Sequence, residues 1–287
     1  MHGNGKTATG VEWIAGAAYS GEVPEQLSVD VADHVAFVRL SRPEKMNALD
    51  VPTLQELVAT AHRMRADRTL RGVLLSGDGP AFCAGIDLSV LSGGLTGFGR
   101  NFVPQPWRGT NLFQEACWAW RRVPVPVIAV VHGYCFGAGL QLALGADFRV
   151  STPDAKWSVM ESKWGLVPDM SGIRALAQLV SIDVAKQLAM TGRTISGEQA
   201  RELGLVSRVA GDPHPAASEL LEEILQRSPD AVAATKRIFE DTWPGSARRT
   251  FARERIEQAR LLMTRNTRIV RAAAAARERP EFAPRAR

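Results

Sequence analysis

The sequence predicts an α/β protein that ends in a helical region, over a chain of 287 residues. Three observations carry that prediction. From residue 34 to about residue 210, short runs rich in β-branched residues alternate with segments of helical period. After about residue 172 the strand signals fade, apart from "GLVSRV" at 204–209, and consecutive amphipathic segments follow. Two of the apolar runs end in glycine-rich turns that lead towards helices. Residues 1–26 show neither pattern and read as a flexible N-terminal extension. Residues 27–210 then read as the α/β core and 211–287 as the helical region.

The elements follow in order. "HVAFVRL" (34–40) is a strand, "VPTLQELVATAHRMRAD" (51–67) a helix, and "RGVLLSG" (71–77) a short apolar strand ending in glycine. "PWRGTNLFQEACWAWRRV" (106–123) reads as a helix, "PVPVIAVVHG" (124–133) as a buried strand, and "LQLALGAD" (140–147) as a short apolar helix. "FRVST" and "AKWSV" are strands. "HPAASELLEEILQRS", "PDAVAATKRIFEDTW" and the arginine-rich segment after them read as three helices, punctuated by Pro229 and Pro244. The glycine-rich stretch 92–109 is either a lid or binding loop or plain surface slack.

Composition narrows the function classes. No apolar run approaches the roughly 20 residues that span a bilayer, so membrane insertion is not expected. The N-terminus has no continuous apolar core of a secretory signal, which points to a cytoplasmic protein. Cys83, Cys117 and Cys135 are odd in number and lack CxxC spacing; they predict buried thiols, with no metal site. The net charge of +5 is uneven, since residues 245–287 hold twelve arginines against four acids. Those charges interleave with apolar residues at helical spacing and have no aromatic platform beside them. They predict a solvated helix face, with phosphates of a small ligand as a second use and no nucleic-acid partner.

The two glycine turns carry the chemistry. "GYCFGAG" (133–139) is GxxxGxG, which is neither the dinucleotide fingerprint nor a phosphate-binding loop followed by Lys-Ser or Lys-Thr. What remains is strand, glycine turn and helix start, where free N–H groups point outward and Gly137 lets a substrate approach the backbone. "SGDGPAFCAGIDLSVL" (76–91) has the same character, with a helix expected from about Asp87. Two such turns can each give one N–H to a single oxygen, which is the recipe for an oxyanion hole.

"SRPEKMNALD", "GDGPAFCAGIDL", "PVPVIAVVHGYCFGAGLQLALGADFRV", "AKWSVMESKWGLVPDMSG" and "AKQLAMTGRTISGEQARELGLVSRV" together resemble the successive motifs of the crotonase family, the enoyl-CoA hydratase/isomerase superfamily, over roughly residues 28 to 260. The resemblance implies a spiral core of repeated ββα units followed by a helical trimerisation region, assembled as a homotrimer or a dimer of trimers. It implies an acyl-CoA thioester substrate, with coenzyme A part of that substrate and no separate cofactor. Its thioester oxygen would accept the N–H groups of Ile86 and Ala138. Lys45, Met46, Ala84, Asp87 and Leu88 become candidate substrate contacts, Asp87 being either a contact or a helix cap.

The acids decide the reaction. Two-acid hydratases of the family have a glutamate in the helix after the glycine turn; here that position is Gln141, which can orient a water or a substrate group but cannot transfer a proton. Glu161 in "SVMESKWGLVPD" matches the family's second catalytic glutamate. Asp169 stands at a spacing that resembles dienoyl-CoA isomerases, though those enzymes have an aspartate where this chain has Gln141; Asp169 is either a second acid or the cap of a helix near Gly172. Three readings follow. In the leading one Glu161 shuttles a proton and shifts a C=C bond, in fatty-acid metabolism, with Asp169 as optional partner. In the second, Glu161 alone activates water for hydration of a 2-enoyl-CoA. In the third, the chain is a catalytically degenerate acyl-CoA-binding protein. His62 and His132 read as structural, and Trp107, Trp118, Trp120, Trp157 and Trp164 as core or interface residues. Trp157 and Trp164 flank Glu161, so lining the acyl pocket and raising the glutamate's pKa by desolvation is their alternative role.

Overall fold

The computed structural model describes residues 26–87, 90, 99 and 101–287. The N-terminal extension apart from Gln26, together with Leu88 and residues 92–98 and 100 of the glycine-rich stretch, lies outside the described residues. Nine strands are described, in chain order β1 (Leu27–Ala32), β2 (Val35–Leu40), β3 (Gly72–Gly77), β4 (Val127–Val131), β5 (Tyr134–Phe136), β6 (Phe148–Ser151), β7 (Lys156–Ser158), β8 (Ile195–Ser196) and β9 (Arg208–Val209). The helices are α1 (Val51–Ala66), α2 (Leu112–Trp118), α3 (Ala138–Leu144), α4 (Gly172–Leu179), α5 (Ile182–Thr191), α6 (Gly197–Glu202), α7 (Pro213–Leu225), α8 (Pro229–Thr242), α9 (Ala247–Leu262) and α10 (Arg265–Ala276).

One sheet runs β1-β2-β3-β4-β6-β9, antiparallel at the first pair and parallel thereafter. A second layer lies beside it. Leu49 bridges to Ile86, Cys83 bridges to Cys135, β5 pairs with β7, and β7 with β8. Successive stretches of chain therefore repeat one cycle: a strand in the sheet, a short extended segment in the second layer, then a helix. This is the spiral of ββα units that the motifs implied.

The parallel strands are buried on both faces, which explains why β4 reads "VIAVV" without alternation. Val127, Ala129 and Val131 face the larger core with Leu54, Leu57, Ala61 and Met64 of α1. Ile128 and Val130 face the other way, onto Ala216, Ala217 and Leu221 of α7. Strands end at Val209, yet α7 covers the sheet and so packs as part of the same core.

Local chemistry sets the helix ends. Asp50 caps α1 by accepting the Thr53 N–H at 2.9 Å. The helix expected from residue 106 starts only at Leu112, because Asn111 and Gln114 form a reciprocal capping box there and Gly109 turns the chain at φ +72°. The arginine-rich segment, expected as one helix, is two: Thr264 caps α10 through the Thr267 N–H and breaks the run. The strand expected over 204–209 is confined to Arg208–Val209.

One ion pair with little exposure, 8% and 16% for the two side chains, ties α8 to the sheet. Lys236 Nζ donates to Asp147 Oδ2 at 2.6 Å and to the carbonyls of Val125 and Trp120, while the same Asp147 oxygen accepts the Val127 N–H at 2.8 Å. Removing one partner of such a pair leaves the other charge buried and unmatched. Lys236→Met is therefore expected to lower the unfolding free energy by about 3–5 kcal/mol in urea titrations.

Candidate active site

The second layer ends in two turns that lie side by side. Gly85 has φ +111°, and its carbonyl accepts the Leu49 N–H at 2.8 Å. A trans peptide sets C=O and N–H on opposite sides, so the Ile86 N–H points away from Leu49, towards β5 and α3. Gly137, at φ +49°, gives its carbonyl to the Gln141 N–H as the first bond of α3. The Ala138 N–H therefore projects backwards out of the helix start. Neither N–H has a backbone acceptor among the described residues. The two turns touch: a Cβ on Gly85 would stand 3.8 Å from the Ala138 nitrogen, and one on Gly139 only 2.5 Å from the Cys83 carbonyl oxygen. Glycine at 139 is what allows α3 to lie so close to the other turn.

Glu161 opens a short 3-10 helix, Glu161–Trp164, and is buried at 9% exposure. Its Oε1 would lie 3.4 Å from a Cβ on Gly137, which puts the carboxyl beside the turn that carries the Ala138 N–H. That Oε1 accepts Gln141 Nε2 at 2.5 Å, while Oε2 is buried with no hydrogen-bond partner among the described residues. Burial raises the pKa of Glu161, the negative charge of Asp169 pushes the same way, and the hydrogen bonds from its own backbone and from Gln141 oppose them.

Gln141 is 1% exposed, and its role differs from that of a water holder. Its Oε1 accepts the N–H groups of Met170 at 2.8 Å and Gly172 at 2.9 Å, which fixes the amide so that only Nε2 can face Glu161. Gln141 thus reaches the start of α4 from another turn of the spiral. The helix-cap reading of Asp169 is corrected by the same contacts. The residue before α4 is Ser171, at φ +73° and with no side-chain capping bond, and the Gly172 N–H is taken by Gln141. Asp169 is half-buried, and burial raises its pKa.

Of the other sequence-derived candidates, Lys45 and Met46 are exposed in the turn after β2, and the Met46 carbonyl accepts the Ala84 N–H at 2.9 Å. Asp87 is half-buried and faces Arg42, Nη2 to Oδ2 at 3.3 Å. Leu88 lies outside the described residues. Of the two tryptophans that flank Glu161, one is a core residue. Trp157 is fully buried and donates Nε1–H to Ser151 Oγ at 3.1 Å, whereas Trp164 is 60% exposed. Trp157 faces inward from its strand, and Trp164 lies on the outer side of the 3-10 helix. His62 meets Glu115 Oε1 at 2.9 Å and His132 meets the Gly79 carbonyl at 2.8 Å, both in structural settings. All three cysteines are buried and free, and burial pushes the Cys83 thiol up to about 12. No cluster of metal-ligating side chains occurs among the described residues, and no described helix is long and apolar enough to cross a membrane.

Sequence reasoning missed Asn47. Buried and in the left-handed region at φ +57°, it donates Nδ2 to the carbonyls of Asp78 and Ala81 and accepts the Arg42 N–H on Oδ1. It fastens the turn after β2 to the loop leading into the 83–86 segment. Asparagine tolerates that backbone region better than other non-glycine residues, and that preference was the available signal.

The enoyl-CoA hydratase/isomerase family pattern matches residues 30–276. The human mitochondrial Delta(3,5)-Delta(2,4)-dienoyl-CoA isomerase is 35% identical over 243 residues, covering 80% of this chain and 74% of that one. Carnitinyl-CoA dehydratase of Salmonella typhi is 35% identical over 209 residues, 71% of this chain and 76% of that one. The crystal structure of an enoyl-CoA hydratase from Mycobacterium tuberculosis H37Rv superposes with TM-score 0.79 at 30% identity, covering 90% of this chain and 98% of that one. One from Polaromonas sp. JS666 superposes with TM-score 0.80 at 28% identity, covering 90% and 99%.

Two outcomes follow from the geometry. A glutamate whose pKa is raised by folding stabilises the fold below its unfolded pKa and loses that contribution as pH rises through the folded value. Glu161→Gln should therefore gain Tm relative to the parent chain as pH increases from 4 to 8, as read by thermal melts across that range. Gln141→Leu orphans the Met170 and Gly172 N–H groups, at a cost of about 1–3 kcal/mol each in denaturant titrations.

Proposed function

The chain belongs to the enoyl-CoA hydratase/isomerase family, and from that premise we propose that it shifts a carbon–carbon double bond along an enoyl-CoA thioester, with Glu161 as proton shuttle and Asp169 as second acid. The observation that carries the reading is the state of Glu161. One oxygen is held by the Gln141 amide and lies against the Gly137 turn that precedes the Ala138 N–H, and the other is buried with no hydrogen-bond partner among the described residues.

The thioester oxygen accepts the Ile86 and Ala138 N–H groups. Charge then gathers on that oxygen as Glu161 Oε2 takes a proton from a carbon of the acyl chain. The electron pair of the C–H next to the carbonyl becomes the C=C bond of the enolate as the carbonyl π pair moves onto the oxygen, and the existing double bond is conjugated with it. A proton returns at the other end of the conjugated system, from Glu161 or from Asp169, and the double bond moves with no net gain or loss of atoms. Preorganised donors of this kind are worth about 10²–10³ in rate each. The raised pKa of Glu161 suits a group that must both take and give a proton near neutrality. Hydration needs a further proton-transferring group at the water, and the neutral Gln141, engaged on both its oxygen and its nitrogen, does not supply one. Asp169 is the remaining acid within electrostatic reach of Glu161.

The proposal places Lys45, Met46 and Ala84 along the coenzyme A portion of the substrate, with coenzyme A serving as no separate cofactor. It includes work in fatty-acid metabolism by a homotrimer or dimer of trimers in the cytoplasm. Support for self-association comes from exposed apolar side chains around the site and on the C-terminal helices, among them Ile173, Ile182, Met190, Trp243 and Phe251.

Purified protein incubated with a 2-enoyl-CoA, a 3-enoyl-CoA and a 3,5-dienoyl-CoA is expected to isomerise the 3-enoyl or dienoyl thioester. Glu161→Gln should lower kcat by about 10²–10⁴-fold. Fast hydration of the 2-enoyl-CoA without isomerisation would overturn the proposal, as would binding of all three without turnover.

A further inference from the structure

Arg42 carries a set of contacts that neither the motifs nor the reaction absorbs. It stands just after β2, with its side chain mostly buried and its guanidinium spread over three acceptors. Nη1 donates to the Ala48 carbonyl at 2.6 Å and meets Asp50 Oδ2 at 3.1 Å, and Nη2 meets Asp87 Oδ2 at 3.3 Å. Its own N–H goes to Asn47 Oδ1 at 2.9 Å. Asp50 is the cap of α1, and its other oxygen is taken by Thr53. Asp87 directly follows Ile86.

These contacts converge on one peptide group. Before Ile86, the Gly85 carbonyl is held by the Leu49 N–H; after it, the Asp87 N–H is held by the Leu49 carbonyl at 2.9 Å. On the side before Ile86 the segment is also held by the Ala84 N–H on the Met46 carbonyl and by Cys83 on β5, whereas on the side after it the described backbone bond to another segment is the one from Asp87 to Leu49. The ion pair from Arg42 to Asp87 adds a side-chain anchor on that second side. Since Arg42 also holds the Ala48 carbonyl and the α1 cap, the 43–48 turn and the 85–87 turn become one rigid piece.

Resting on the oxyanion reading above, we infer that Arg42 is a positioning residue: by bridging Asp50 and Asp87 it fixes the angle at which the Ile86 N–H meets the thioester oxygen. Lysine cannot replace it, because a single ammonium does not span both carboxylates and a carbonyl in this fork geometry. The cost of losing it falls on the transition state, where charge on the oxygen is greatest, and less on ground-state binding.

The test compares the full-length chain with Arg42→Lys, Arg42→Gln and Asp87→Asn. The probe is a 2,4-dienoyl-CoA, whose conjugated thioester shifts its near-ultraviolet absorbance to longer wavelength when its carbonyl is polarised. We expect all three variants to show a smaller shift and a kcat lower by about 10- to 100-fold, with KM changed by less than about threefold. Combining Arg42→Gln with Asp87→Asn should cost little more than Arg42→Gln alone, because the arginine variant already removes the Asp87 contact that the asparagine variant is designed to break. An unchanged shift and kcat in Arg42→Gln overturns the inference, and so does a loss confined to KM or a fully additive double variant. Should Arg42→Gln fail to fold, the near-isosteric Asp87→Asn carries the same comparison. Absence of any shift in the unsubstituted chain is a different result, which removes the oxyanion reading itself and this inference with it.

Discussion

The close contact between two successive turns of the spiral is the constraint on which the site rests. Cys83 N–H donates to the Tyr134 carbonyl at 2.9 Å and the Cys83 carbonyl accepts the Phe136 N–H at 3.0 Å, so the 83–86 segment and β5 run in register. That register brings Gly85 and Gly137 to the same level. Because both have positive φ, each turns its following N–H out of the local ladder and towards the same space. The helix start at Ala138 can then sit against Cys83 only because position 139 has no side chain. A rotation of either turn would leave two separate free amides, which is a common and chemically idle arrangement at helix starts.

The second organising contact is the amide of Gln141. It satisfies the start of α4 through its oxygen and engages Glu161 through its nitrogen, so the position of the acid and the position of the 168–172 segment are set by one side chain. The arrangement has an electrostatic consequence. Had 141 been an acid, its second oxygen would have faced the Glu161 carboxylate at hydrogen-bond distance, and the pair would have had to share a proton. With an amide there, Glu161 faces no like charge at that distance, and its pKa is raised mainly by burial. Asp169 adds a smaller push in the same direction.

Legibility in the sequence varied with the range of the interaction. The glycines, the strand–turn–helix order and the ββα alternation rest on local backbone preference, so Gly85, Gly137 and α3 stood where their spacing put them. The start of α2 and the break between α9 and α10 were misjudged, although both depend on capping residues, Asn111 and Thr264, that local reading can find. Trp157 is in the core, as its apolar bulk suggested, while Trp164 is exposed. Nearness to Glu161 along the chain says nothing of direction, since alternate residues of β7 face opposite sides and the following 3-10 helix turns the chain again.

By itself, the sequence determined the layered α/β class and the two glycine turns, because these follow from φ preferences and buried-strand composition, whereas Glu161 was singled out by its place in the family motif. Tertiary structure alone decided what Gln141 does, that Asp169 is no helix cap, and that Arg42 joins Asp50 to Asp87. The deciding contacts join residues far apart in the chain, 29 positions for Gln141 with Met170 and 45 for Arg42 with Asp87, or exclude a contact that short-range spacing permitted. The physical reason is that a side-chain hydrogen bond reaches about 3 Å in space, whereas sequence spacing constrains direction over only a few residues.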